Sequence, residues 1–153
     1  MQPFSSNEND ALELLERDHR DLEKLLQKGE ETTKRGVRGR TELLATVTSE
    51  LRIHEELEEK LLYPALKPHS EVTDTVLEGY QEHHVADLLV GELHRLPPDD
   101  ERWAAKFKVL KENIEHHIEE EEGQMFPTAR SILSSAEREE LGVRMQAMKG
   151  ARQ

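Results

Sequence analysis

A His-x-x-x-Glu-Glu pattern occurs twice in this chain, 63 residues apart. The first copy runs His54-Glu55-Glu56-Leu57-Glu58-Glu59, the second His117-Ile118-Glu119-Glu120-Glu121-Glu122. Each is followed at the same offsets by an aromatic residue and a proline, Tyr63-Pro64 and Phe126-Pro127. A histidine and a glutamate four positions apart lie on one face of a helix, one turn from each other. A lone histidine precedes each copy by about one helix: His19 in the first half, His83 or His84 in the second. The pattern predicts two helical hairpins, each contributing one lone histidine and one His-x-x-x-Glu pair.

The composition agrees with this. Apolar residues are 35% of the 153, and charged residues are another 35%. That balance suits amphipathic helices that bury one stripe each. The predicted architecture is all-α: an up-down-up-down four-helix bundle with a short extra C-terminal helix. It is read as a single domain over 1–153, with the bundle at about 10–130 and the last helix at about 134–150. Helix A follows the cap-rich Ser5–Asp10 and carries Leu12, Leu15, Leu22, Leu25 and Leu26, ending near Gly29. Helix B runs from about Thr41 to Tyr63-Pro64, with Pro68 closing it. Helix C spans roughly Glu71 to His94, and Leu96-Pro97-Pro98 breaks the chain. Helix D runs from about Glu101 to Met125, and Ser134-Ser135-Ala136-Glu137 has the form of a capping box.

In such a bundle, residues equidistant from a loop sit at the same level. The midpoints between His19 and His54, His54 and His84, and His84 and His117 fall in Gly36–Gly39, beside Pro68 and at Asp100-Glu101. All three are predicted turns, so the four histidines are expected to share one level.

Four imidazoles with Glu58 and Glu121 suit two first-row transition ions that the carboxylates can bridge. This donor set favours iron over calcium or magnesium, without excluding zinc or manganese. One isolated His-x-x-x-Glu is most simply a helix-stabilising ion pair; two copies with placed upstream histidines favour a metal site. The repeat selects His117 over His116, which is read as solvent-facing or as a support to the ligands. For helix C the two arguments differ. The ungapped repeat favours His83, whereas the apolar face of Leu77, Tyr80, Val85, Leu88 and Leu89 centres nearer His84. His84 is preferred, with His83 the alternative. Tyr80, one turn before His84, is either a phenolate ligand or a core tyrosine bonded to a carboxylate or water. Glu16 is less well placed. Glu55, Glu56, Glu59, Glu119, Glu120 and Glu122 are read as a solvated face, with Glu59 and Glu122 candidates for supporting the ligands. Tyr63-Pro64 and Phe126-Pro127 are read as helix ends that pack the bundle base, and Trp103 as a core anchor.

The net charge of −12 argues against nucleic acid and anionic membranes as partners. The absence of cysteine removes iron–sulfur, thiolate-zinc and cysteine-nucleophile chemistry. No stretch reads as a signal peptide or a membrane span, so a soluble, cytoplasmic protein is expected.

These residues resemble the hemerythrin-like (HHE cation-binding) family, whose pattern is His, His-x-x-x-Glu, His, His-x-x-x-Glu. Here that is His19, His54 with Glu58, His83 or His84, and His117 with Glu121. The resemblance implies a non-haem di-iron centre bridged by both carboxylates and an oxo or hydroxo group. Oxygen-carrying hemerythrins have a fifth histidine one turn before the helix C ligand; that position is Tyr80 or Gly79 here, which argues against reversible oxygen carriage. Bacterial members are associated with oxygen sensing, nitric oxide or peroxide chemistry, and iron handling. The expected function is therefore binding of, or reaction with, nitric oxide, hydrogen peroxide or oxygen in redox or nitrosative stress defence. The alternatives are an iron- or oxygen-sensing module without turnover, and a purely structural bundle that takes up no stoichiometric metal.

Overall fold

The computed structural model describes residues 9–152, and all of its secondary structure is helical. Most of the cap-rich stretch that precedes the first helix, Ser5 to Glu8, lies outside the described residues; Asp10 within it caps the helix. Its carboxylate accepts from the amides of Leu12 at 2.9 Å and Glu13 at 3.3 Å, opening α1 over Ala11–Glu30. The second helix, α2, covers 37–66 and the third, α3, Thr73–Arg95. The fourth, α4, covers 103–132, and α5 is Ser135–Arg152. The capping box at α5 forms reciprocally: Ser134 Oγ accepts from the Glu137 amide and Glu137 Oε1 from the Ser134 amide, each at 3.1 Å. Helices α1 to α4 form the up-down-up-down bundle, and α5 packs across α1 and α2.

Helix α2 runs through Tyr63-Pro64 to Leu66 and is closed before Pro68 as expected, whereas α4 continues past its expected end near Met125 to Ile132. Each contains one π-helical segment, Glu58–Leu62 and Glu121–Met125, and then resumes as α-helix to Leu66 and Ile132. The carbonyls of Glu58 and Glu121 accept from the amides of Tyr63 and Phe126, five residues on. A wide turn of this kind inserts a residue and re-aims everything beyond it. It also accommodates the proline: the residue five beyond Glu59 is Pro64, which has no N–H to offer. The Glu59 carbonyl instead accepts from the Tyr80 hydroxyl at 3.4 Å.

Two apolar clusters are stacked along the bundle axis. One, beside α5, gathers Leu12, Leu15, Leu57, Leu62, Tyr63, Phe126 and Met145. The other, at the opposite end, gathers Leu22, Leu51, Val90, Phe107, Leu110 and Ile114 around Trp103, which stacks on Phe107 and lies under the Arg40 guanidinium. Between them lies a layer of buried polar residues: His19, His54, Glu58, His83, His117 and Glu121.

Candidate metal centre

The helix faces explain which histidine α3 contributes. Its buried positions are Val76, Gly79, His83, Ala86, Val90 and Leu93, spaced three and four apart. His83 is 4% exposed, while His84 faces solvent, which corrects the preference for His84. Leu77, Val85 and Leu88, which drew the apparent apolar face toward His84, are themselves 45%, 44% and 53% exposed. The true inward face contains Gly79 and Ala86, residues too small to register as apolar in a periodicity argument.

In the layer, the Nε2 atoms of the four histidines converge on the two carboxylates. Glu58 Oε1 lies 3.2 Å from His54 Nε2, 3.1 Å from His83 Nε2 and 3.7 Å from His117 Nε2. Glu121 Oε1 lies 3.2 Å from both His19 Nε2 and His117 Nε2. The donor atoms form two groups that share Glu58: His19, His54, Glu58 and Glu121, and Glu58, His83 and His117. Within each group they lie within 4.8 Å of one another. His116 lies outside this layer, exposed as expected.

Each histidine is oriented from behind by a carboxylate at its Nδ1. His19 meets Glu122 at 2.6 Å, His54 meets Asp18 at 3.4 Å, His83 meets Glu59 at 3.0 Å and His117 meets Glu82 at 2.8 Å. An Nδ1–H held in this way leaves the Nε2 lone pair facing inward, which is how carboxylates orient metal-binding imidazoles. Glu59 and Glu122 were candidates for this role in the sequence. Asp18 and Glu82 were missed, although a signal existed: an acid immediately precedes each lone histidine, in Asp18-His19 and Glu82-His83. Used as part of the repeat, that acid also selects His83.

Tyr80 is not in the layer; its hydroxyl serves the Glu59 carbonyl. The phenol that reaches the layer is Tyr63, assigned only a packing role by sequence. Its hydroxyl donates to Glu121 Oε2 at 2.8 Å, and its ring stacks on His83 with centroids 5.6 Å apart. Phe126, the matching residue of the second half, stacks on His19 at 5.8 Å. At this position the two halves differ by one hydroxyl. Gly79 makes room for it: a Cβ there would lie 2.6 Å from the Tyr63 oxygen.

The charges of the layer balance one another. Burial opposes the charged form of His54, yet the carboxylates of Glu58, Asp18 and Glu121 hold its pKa up at about 10. Burial likewise works against a charged His117, and Glu121, Glu58 and Glu82 raise it well above the usual imidazole range. Burial would push the Glu58 carboxyl up, but His54 and its other polar contacts hold it well below the usual carboxylate range. Burial, with Glu121 and Glu58 close by, pushes the Tyr63 phenol well up.

Glu55 departs from the solvated face proposed for it. It is 4% exposed, and burial together with the nearby Asp87 pushes its carboxyl up to about 10. It lines an interior cavity of about 10 Å³ with the four histidines, Ala86 and Ile114. Such a volume holds about one water-sized molecule.

The donor set fits a cation pair. Glu58 Oε2 is fully buried and makes no hydrogen bond, while Glu121 Oε1 and His117 Nε2, 3.2 Å apart, are equally buried and meet only other donors of the layer. A buried polar atom without a partner is costly unless something else satisfies it. Inward-facing carboxylates and imidazoles, the latter aligned from behind by further carboxylates, supply what a divalent ion requires.

A four-helix bundle with a buried layer of histidines and carboxylates defines a cation-binding helical protein. Residues 10–129 match the Hemerythrin HHE cation binding domain, and the chain belongs to that family. The crystal structure of a Hemerythrin HHE cation binding domain-containing protein from Mycobacterium kansasii is similar, with a TM-score of 0.81 and 29% identity. That similarity covers 94% of this chain and 87% of the mycobacterial one. A DNA nickase from Nostoc sp. is 26% identical over 108 residues, 71% of this chain. The chain spans 30% of the nickase, less than a third of its length. Among the described residues, no helix is long and apolar enough to cross a membrane.

Proposed function

We propose that this is a non-haem di-iron protein that binds or reacts with nitric oxide, hydrogen peroxide or oxygen, in defence against redox or nitrosative stress. The observation that carries the reading is the pair of donor groups sharing Glu58. One ion would be held by His19, His54, Glu58 and Glu121, the other by Glu58, His83 and His117. Imidazole–carboxylate donors without thiolate suit iron, and Glu58 and Glu121 are placed to span the pair. The bound ions would supply an open coordination position and a change of oxidation state.

The remaining residues support small ligands. The cavity beside the four histidines is small and lined mainly by histidines and apolar side chains, which restricts it to small molecules. Glu55, neutral at physiological pH, adds no charge to it. Gly79 stands one turn before His83, where oxygen carriers have their fifth histidine, and the space there is taken by the Tyr63 hydroxyl, which keeps its proton and donates to Glu121. That replacement favours reaction over reversible carriage. DNA is not part of this reading, because a chain of net charge −12 repels phosphate.

The test is an absorption spectrum of the iron-loaded protein, before and after peroxide and before and after nitric oxide. The expected result is two irons per chain, charge-transfer bands of a ferric pair, and a change with at least one ligand. A protein that takes up no stoichiometric iron, or whose spectrum ignores both ligands while consuming neither, overturns the proposal.

A second reading, sensing without turnover, has its own support. Lys149 of α5 lies 2.6 Å from Asp18, whose other oxygen faces His54. Occupancy of the centre would thereby reach the outer helix. This reading requires the thermal stability of the protein to depend on iron; equal midpoints with and without iron would eliminate it.

A further inference from the structure

A second cluster of donors lies on the outside of the bundle, against the same layer. Glu82 of α3 with His116 and Glu120 of α4 present donor atoms within 4.8 Å of one another. His116 and Glu120 repeat the His-x-x-x-Glu spacing one position out of register with His117 and Glu121. His116 Nε2 lies 3.0 Å from Glu120 Oε1, with the His116 side chain 66% exposed. Taken alone, this pair would be an ordinary helix-surface contact. What distinguishes it is the third donor, which comes from another helix and has a second task. Glu82 Oε1 accepts from His117 Nδ1 at 2.8 Å, so one carboxylate joins the outer cluster to an inner histidine. Glu82 and Glu120 also line an open groove of about 860 Å³ with Glu78, Tyr80 and Lys67. The cluster is therefore reachable from solvent, while the inner layer is not.

We infer that Glu82, His116 and Glu120 form a third, outer site for a divalent first-row cation, through which ferrous ions are captured on their way to the buried pair. One imidazole and two carboxylates are the same donor chemistry as the inner groups. A site with three protein donors and an open side can take a hydrated ion from the groove and release it again. Glu82 provides the hand-over point, because its carboxylate belongs to the outer cluster and also accepts from Nδ1 of the inner His117. The inference rests on the di-iron reading above and goes beyond it.

The test uses the protein with its two irons in place. Zinc(II) is added by equilibrium dialysis, metals are counted by elemental analysis, and zinc is located by anomalous scattering in crystals. The expected result is one zinc per chain at Glu82, His116 and Glu120, beside two irons. In the double variant His116→Ala/Glu120→Gln, both exchanges being at solvent-reached positions, two irons remain and zinc affinity falls by about ten-fold or more. Ferrous uptake by the metal-free variant at limiting iron is slower than wild type but reaches the same two-iron end point. Wild type that takes no zinc at this cluster, a variant that binds zinc as tightly, or equal uptake rates would each overturn the inference. Iron content is read in the same samples, so failure of the buried centre is seen separately as missing iron in the wild type. Glu82 is left intact because it orients His117.

Discussion

The hydroxyl of Tyr63 donates to Oε2 of Glu121 across 2.8 Å, tying the first half of the bundle to the inward carboxylate of the second. The matching residue of the second half, Phe126, has no hydroxyl and makes no such bond. The two halves are thus unequal at this pair of matching aromatic residues. Tyr63→Phe keeps the ring that stacks on His83 and removes only the donor. A buried hydrogen bond to a charged group contributes about 1–3 kcal/mol. The metal-free variant is therefore expected to lose that much unfolding free energy, seen as a lower urea midpoint with an unchanged m-value. Coincident unfolding curves would show that Glu121 draws nothing from this hydroxyl.

His83 and His84 are neighbours in sequence and opposites in the fold, one inside the layer and one in solvent. His83→Ala is expected to lower iron content below two per chain, because the group Glu58, His83 and His117 loses one of three donors. His84→Ala should retain both irons. Elemental analysis of the two purified variants decides the matter, and the reverse pattern would reinstate His84.

Helix α5 approaches the start of α1 so closely that only glycine fits at 142. A Cβ on Gly142 would lie 1.5 Å from the backbone oxygen of Asn9, where no side-chain movement can relieve it. Gly142→Ala should displace α5, which buries Leu141 and Met145. The expected cost is about 3 kcal/mol, or a Tm lower by on the order of 10 °C. An unchanged Tm by calorimetry would mean that α5 is not held against α1 in solution.

Much of this was legible in the sequence, because the defining constraint is periodic. The doubled His-x-x-x-Glu motif gave the hairpins, and equal distances from the turns gave the common level of the histidines. The choice of His84 came from weighting Leu77, Val85 and Leu88 by hydrophobicity, when the inward face of α3 is marked instead by small residues. Tyr63 was misjudged because its role depends on a π segment, which carries no sequence signature and turns the phenol toward Glu121. Glu55 looked like one acid in a solvated run, and only packing against α3 shows that it is buried. The orienting acids Asp18 and Glu82 were readable, had each lone histidine been considered with its preceding residue.

The two apolar clusters stacked along the axis have a consequence for cooperativity. Neither cluster is continuous with the other; the polar layer interrupts them at a single height. Without metal the two ends meet there through imidazole–carboxylate contacts, the Tyr63–Glu121 hydrogen bond and the ring stacks of Tyr63 on His83 and Phe126 on His19, so each end can open on its own free-energy scale. Bound ions would couple all four helices at that height and oblige both ends to open together. Amide exchange should therefore give separate protection for Leu15 and Leu62 against Val90 and Leu110 without metal, and a common value with it. Identical protection of both ends in the metal-free protein would refute this. The layer then acts as the point where two small cores become one folding unit.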